Sequence, residues 1–119
     1  MIRILRLCLW GAAAFAFVMA VLPQPPQLPG APSDKIQHAL AFFTLAVLAA
    51  GAYPRLHPLA IAGLLCLFGG AIELVQLIPA LNRDGDLIDW TVDILAAGAG
   101  LLAVHLCRRA LRQPPSAEA

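Results

Sequence analysis

Ten prolines punctuate this chain, and all of them fall between long apolar runs or at the ends of those runs. Proline lacks the backbone N–H and collides with the preceding helical turn, so its placement marks where helices stop. Pro23, Pro25, Pro26, Pro29 and Pro32 form one linker, Pro54 and Pro58 bracket a second, Pro79 lies near the end of the third run, and Pro114 and Pro115 follow the fourth. The spans so defined are 4–22, 34–53, 58–80 and 86–107. Each is near the ~20 residues that cross about 30 Å of hydrocarbon. The expectation is an all-α polytopic membrane protein, a bundle of four transmembrane helices in one domain over 1–112, with a disordered cytoplasmic tail over 113–119.

Composition agrees. Of 119 residues, 61% are hydrophobic and 13% charged, against about 45–50% apolar and 25% charged in a soluble domain. Such a chain has too few polar groups to cover a water-soluble globule, and it is too apolar to be disordered. A formal net charge of +1, with no basic face, excludes nucleic acid as a partner. Cys8, Cys66 and Cys107 have no metal-ligand or redox spacing and read as small packing residues.

The first span admits two readings. Arg3 and Arg6 before an apolar stretch suit a signal peptide, with Val18-Met19-Ala20 as a tolerable cleavage site. Nothing downstream resembles a soluble mature domain, which favours a retained helix; cleavage leaves three membrane helices. Orientation follows from charge. With the amino terminus in the cytoplasm, that side carries Arg3, Arg6, Arg55, Arg108, Arg109 and Arg112 against Glu118. The other side carries Lys35 and Arg83 against Asp34, Glu73, Asp84, Asp86, Asp89 and Asp93. This asymmetry fits the positive-inside rule with both termini inside.

The ionisable residues within the spans carry the chemistry. Asp34, Lys35 and His38 share the start of the second helix, Glu73 and Gln76 are three apart in the third, and Asp89 and Asp93 are four apart in the fourth. These spacings put each set on one helix face. At 1.5 Å per residue, Glu73 and Asp93 are both expected roughly 10 Å below the outer helix ends. The same faces carry small residues, Cys66 and Gly69/Gly70 on one helix and Ala96/Ala97 and Gly100 on the other, which lets membrane helices approach closely. Carboxylates at that depth are costly unless paired, protonated or hydrated, and Lys35, Arg83 and His38 are too few for six acids.

Simpler readings stand beside this one. Asp34 with Gln37 resembles a capping box, and Asp86 and Asp89 suit the N-cap and N3 positions of a helix. Capping does not explain Glu73, Gln76 or Asp93, for which a structural interhelical network and a functional site are both open, as they are for His38. His57 and His105 lie on the opposite side with no assigned role. Trp10, Tyr53 and Trp90, near span ends, look like interfacial anchors.

Asp34-Lys35-x-x-His38 opening one membrane helix, Glu73-x-x-Gln76 inside the next, and Arg83 and Asp89 before the last resemble the VanZ-like family of small bacterial membrane proteins. The match covers about residues 33–101. The family is named for a member associated with resistance to the glycopeptide teicoplanin. The resemblance therefore implies a cell-envelope role in the bacterial cytoplasmic membrane, and Asp34, Lys35, His38, Glu73, Gln76, Arg83 and Asp89 match the family's polar motif. Asp93 stands where the family often has Asn, and Ala96 where it tends to have Gly, while Gly100 fits.

Three functions follow. In the first, a site near the outer leaflet binds or modifies an envelope lipid or lipid-linked precursor. His38, Glu73 or Asp93 would act there as general acid or base, and Asp34, Lys35, Gln76, Arg83 and Asp89 would contact the substrate. A divalent cation held by the histidine and carboxylates is an open variant of that site. In the second, the protein is a non-catalytic accessory whose polar cluster only specifies helix packing. Ion or proton passage is the third, and it is disfavoured because the polar path does not continue through the inner halves of the helices.

Overall fold

The computed structural model describes residues 1–23, 33–81 and 85–115, and of residue 34 only the backbone. The described elements are all helical: α1 (Ile2–Val21), α2 (Asp34–Ala52), α3 (Pro58–Gln76) and α4 (Leu87–Arg112), with a 3-10 turn at Pro79–Leu81 between α3 and α4. All four long helices are long and apolar enough to cross a membrane.

Helix ends differ from the sequence expectation for identifiable reasons. The third helix stops at Gln76 instead of running to residue 80. A residue before proline is disfavoured in the α region, so Pro79 ends the helix upstream of itself and the chain turns through Pro79–Leu81. The same constraint ends α2 at Ala52: Tyr53, before Pro54, sits at φ −129°, ψ 66°. In the opposite sense α4 continues five residues past 107, to Arg112. The apolar run ends there but the helix does not, because arginines suit the negative end of the helix dipole. Gln113–Pro115 follow as exposed irregular chain, and the remainder of the expected disordered tail lies outside the described residues.

Starts are set by side chains. Ser33, not Asp34, caps α2, its hydroxyl accepting from Ile36 N, so the capping box assigned to Asp34 and Gln37 is corrected. His57 caps α3, with Nδ1 accepting from Leu59 N at 3.1 Å, and Pro58 opens the first turn. Asp86 caps α4 as expected, its Oδ1 accepting from Ile88 N at 2.8 Å.

Helix α2 lies at the centre. It supplies Phe42, Leu45, Ala46, Ala49, Ala50 and Ala52 to the buried apolar core, joined by Leu9 of α1, Ile61, Leu65 and Ile72 of α3, and Ala97 of α4. The small side chains of α2 allow close approach, above all to α4, where the Phe43 carbonyl oxygen would lie 2.8 Å from a Cβ placed on Gly100. Surface and interior are inverted relative to a water-soluble protein. Leu7, Phe15, Leu59, Leu64, Leu67, Leu95 and Leu102 stand exposed, whereas Glu73, Gln76, Asp89 and Asp93 are buried. An apolar exterior around a small polar interior is the pattern a hydrocarbon solvent selects. Cys66 is half-buried, but Cys8 and Cys107 are exposed, so the packing role expected of all three cysteines is corrected for those two.

One end of the bundle is basic. Arg6 Nε donates to the Ala52 carbonyl at 3.3 Å and its guanidinium lies 4.6 Å from the Tyr53 ring centroid. Arg108 donates to the Ala50 carbonyl at 2.9 Å. Two cations thus satisfy the last carbonyls of α2, which have no intrahelical partners. Trp10 completes this end by donating to the Tyr53 hydroxyl at 3.1 Å.

Candidate functional site

Among the described residues, the buried polar side chains gather at the other end of the bundle. His38 stands about one turn into α2, Glu73 about 4.5 Å from the end of α3, and Asp93 about 10 Å into α4 counted from Asp86. The depth expected of Glu73 is therefore halved, since it was counted from residue 80 and the helix ends at Gln76. The convergence itself stands. His38 Nδ1 and Asp93 Oδ1 share a hydrogen bond at 2.8 Å. One ligand atom from each of His38, Glu73 and Asp93 lies within 4.8 Å of the others. Asp93 is fully buried, and the His38 side chain is 13% exposed.

Each carboxylate has one oxygen occupied and one free. Glu73 Oε2 accepts the Asp86 backbone N–H at 2.8 Å, which ties the start of α4 to the last turn of α3. Asp93 Oδ1 is taken by His38. Glu73 Oε1 and Asp93 Oδ2 are buried and have no hydrogen-bond partner. Gln76 is divided in the same way: Nε2 donates to the Ala20 carbonyl at 3.0 Å, closing the end of α1, while Oε1 is unpartnered. Buried oxygens without partners are uncommon in folded proteins and mark a place where a proton, an ion or a ligand group belongs.

Lys35 does not reach into this cluster. Its ammonium lies 3.6 Å from Asp86 Oδ2 and 3.3 Å from Asp89 Oδ1, forming a half-exposed rim above the histidine. The second contact is an ion pair without hydrogen-bond alignment, which is why Asp89 Oδ1 still lacks a hydrogen-bond donor. Among the described residues no lysine or arginine pairs with Glu73 or Asp93. Of the residues expected to contact substrate, Lys35, Gln76 and Asp89 line this end; Arg83 and the side chain of Asp34 lie outside the described residues.

One contributor lies outside the sequence expectation. Trp90, taken for an interfacial anchor, donates its indole N–H to the Cys66 carbonyl at 3.0 Å and lies against Gly69 and Gly70. Cys66 is about 15 Å along α3 from Gln76, so the indole is an interior wall of the site. The signal was present, because Trp90 precedes Asp93 by three residues and shares its face. Gly69, expected as a small residue on this face, has a more specific role. A Cβ there would sit 2.9 Å from Asp93 Oδ2 and 3.3 Å from both Phe42 Cζ and Trp90 Cδ1. The missing side chain is the space the Asp93 carboxylate occupies.

The three nearest atoms facing Gly69 belong to side chains, so Gly69→Ala is expected to cost only about 1 kcal/mol while displacing Asp93. The variant should elute as folded helical protein and shift the His38 imidazole resonances. Unmoved resonances would show that Gly69 does not position the carboxylate.

Comparison with family models, with curated proteins and with solved structures finds no match to this chain.

Proposed function

We propose that this chain is a VanZ-like multi-pass protein of the bacterial cytoplasmic membrane, whose His38–Glu73–Asp93 cluster binds or modifies an envelope lipid or a lipid-linked precursor at the outer leaflet. The observation that carries this reading is the convergence of three buried ionisable side chains from three helices, with two carboxylate oxygens left unpartnered. Ionisable groups inside a membrane bundle are expensive, and they are typically found where a substrate, ion or proton is handled. The family assignment rests on the motif residues themselves. It brings the envelope role and the link to glycopeptide resistance as a setting for this site.

Orientation is supported by the two ends. Arg6 and Arg108 sit at the end opposite the acidic cluster, and the basic end faces the cytoplasm under the positive-inside rule. Both termini are then inside and the cluster lies under the outer surface. Retention of α1 is supported by Gln76, which uses its amide to satisfy a carbonyl of that helix.

The arrangement suits a headgroup ligand. Lys35 at the rim offers a cation to a phosphate or carboxylate. Below it, Asp93 holds the His38 N–H, which orients the ring and leaves its other nitrogen available as acceptor or base. The packing reading has specific support of its own, in that Glu73 and Gln76 each use one polar atom to tie helices together.

Glu73→Gln separates the two readings, because glutamine keeps an oxygen for the Asp86 N–H and loses the charge. For a functional site, the variant is expected to accumulate as folded protein in the membrane. Its retention of a polyprenyl phosphate or an anionic phospholipid should change about tenfold in native mass spectrometry, equivalent to ~1.4 kcal/mol. A fall in folded protein with unchanged lipid retention supports packing alone.

A further inference from the structure

Burying Glu73 and Asp93 beside one histidine leaves a charge imbalance. Two carboxylates against an imidazole that carries at most one positive charge are unmatched, and the Lys35 ammonium is committed to Asp86 and Asp89. Both acids are more than nine-tenths buried, with relative exposures of 8% and 0%. Each still presents an oxygen, Glu73 Oε1 and Asp93 Oδ2, that no donor reaches. A buried carboxylate in this state is stabilised by a proton or a cation.

We infer that His38, Glu73 and Asp93 bind one divalent transition-metal cation, with Zn2+ and Mn2+ the ions of matching chemistry. The three ligand atoms lie within 4.8 Å of one another. Zinc–nitrogen and zinc–oxygen bonds of ~2.0–2.2 Å place tetrahedral ligands about 3.4 Å apart. Side-chain rotation alone closes that difference. One imidazole and two carboxylates favour zinc or manganese over magnesium and calcium, which prefer all-oxygen shells. A neutral imidazole and two carboxylates also balance a charge of +2.

Three protein ligands leave a coordination position open, as in metal sites that act on a substrate, and a water or a headgroup oxygen fits there. As the cation enters, the His38 Nδ1 proton is replaced: in the neutral ring it is relocated to Nε2, and in the doubly protonated ring one proton is released to solvent, so that the ligand is a neutral imidazole in either case. Asp86, Asp89 and half-exposed Lys35 form the polar mouth through which the ion arrives. The inference rests on the geometry of the cluster and not on the lipid reading, so either can fail alone.

The test uses the full chain in nanodiscs, freed of any histidine tag and stripped with chelator, then titrated with Zn2+ and separately with Mn2+. Bound metal is counted by mass spectrometry, and affinity is read by competition with a chromophoric indicator. One equivalent per chain is expected, with affinity reduced at least about tenfold in His38→Gln, Glu73→Gln and Asp93→Asn, judged against the 10–100-fold lost when only supporting residues change. Arg109→Gln, in the last turn of α4 at the opposite end of the bundle, should bind the metal as well as the native chain. No saturable binding of either ion overturns the inference. So does binding unchanged across the folded variants, which places the metal on His57, His105 or a cysteine. Should Asp93→Asn fail to fold, His38→Gln and Glu73→Gln decide the matter, since glutamine at 73 keeps the Asp86 contact.

Discussion

Replacing Gly100 with leucine is expected to separate α4 from α2 and to cost about 3 kcal/mol or more, the upper part of the range for overpacked interiors. The reason is what faces it. A Cβ at this position would meet the Phe43 carbonyl oxygen at 2.8 Å and Ala46 Cβ at 3.0 Å. Neither is the end of a flexible side chain, so the helices themselves must move. They would move at the interface that brings His38 to Asp93, and the hydrogen bond between them should be lost along with the packing. Gly98 is the matched control. It lies two residues away on the exposed face with nothing within 4 Å of a new Cβ. Leucine there should be neutral or stabilising, because glycine within a helix costs up to ~1 kcal/mol. Unfolding by titration with sodium dodecyl sulfate in mixed micelles compares the two. Equal midpoints would mean that α2 and α4 do not pack as described.

The same glycines show how far the sequence could be read. Gly69, Glu73 and Gln76 on α3, and Asp93, Ala97 and Gly100 on α4, were legible as interior faces from spacing alone. Their burial follows that reading. Spacing assigns a face within one helix but says nothing of which residue on another helix it meets. That His38 would take Asp93 and leave Glu73 to the Asp86 amide is a matter of helix register, set by the length of the turn after α3. The turn is longer than the apolar run suggests, because the effect of Pro79 reaches back along the chain. Lys35 illustrates the same limit. Its place at a helix start marks it as a cation near the site, but only the position of α4 opposite it shows that two aspartates flank the ammonium.

Removal of His38 is expected to damage the fold more than removal of Asp93, although the two share one hydrogen bond. Asp93→Ala leaves an imidazole that is 13% exposed and able to reach water or a headgroup. The expected cost is about 1–2 kcal/mol, that of one lost hydrogen bond and a small void. His38→Ala leaves a fully buried carboxylate with neither oxygen partnered, because Oδ2 already lacks a donor. Stranding a charge in a low-dielectric interior costs about 3–5 kcal/mol in soluble proteins. Interhelical bonds in membranes measure nearer 0.6 kcal/mol on average, because the unfolded chain also finds partners there. The complete burial of Asp93 argues for a value of about 3 kcal/mol. The double variant should then lose less than His38→Ala alone, since no unmatched carboxylate remains. A cycle of the two single variants and the double, unfolded in the same mixed micelles, measures this directly. Additive losses, or a larger loss from Asp93→Ala, would mean that the Asp93 carboxyl is already neutral in the native protein, and the unmatched charge that draws a cation to this site would not exist.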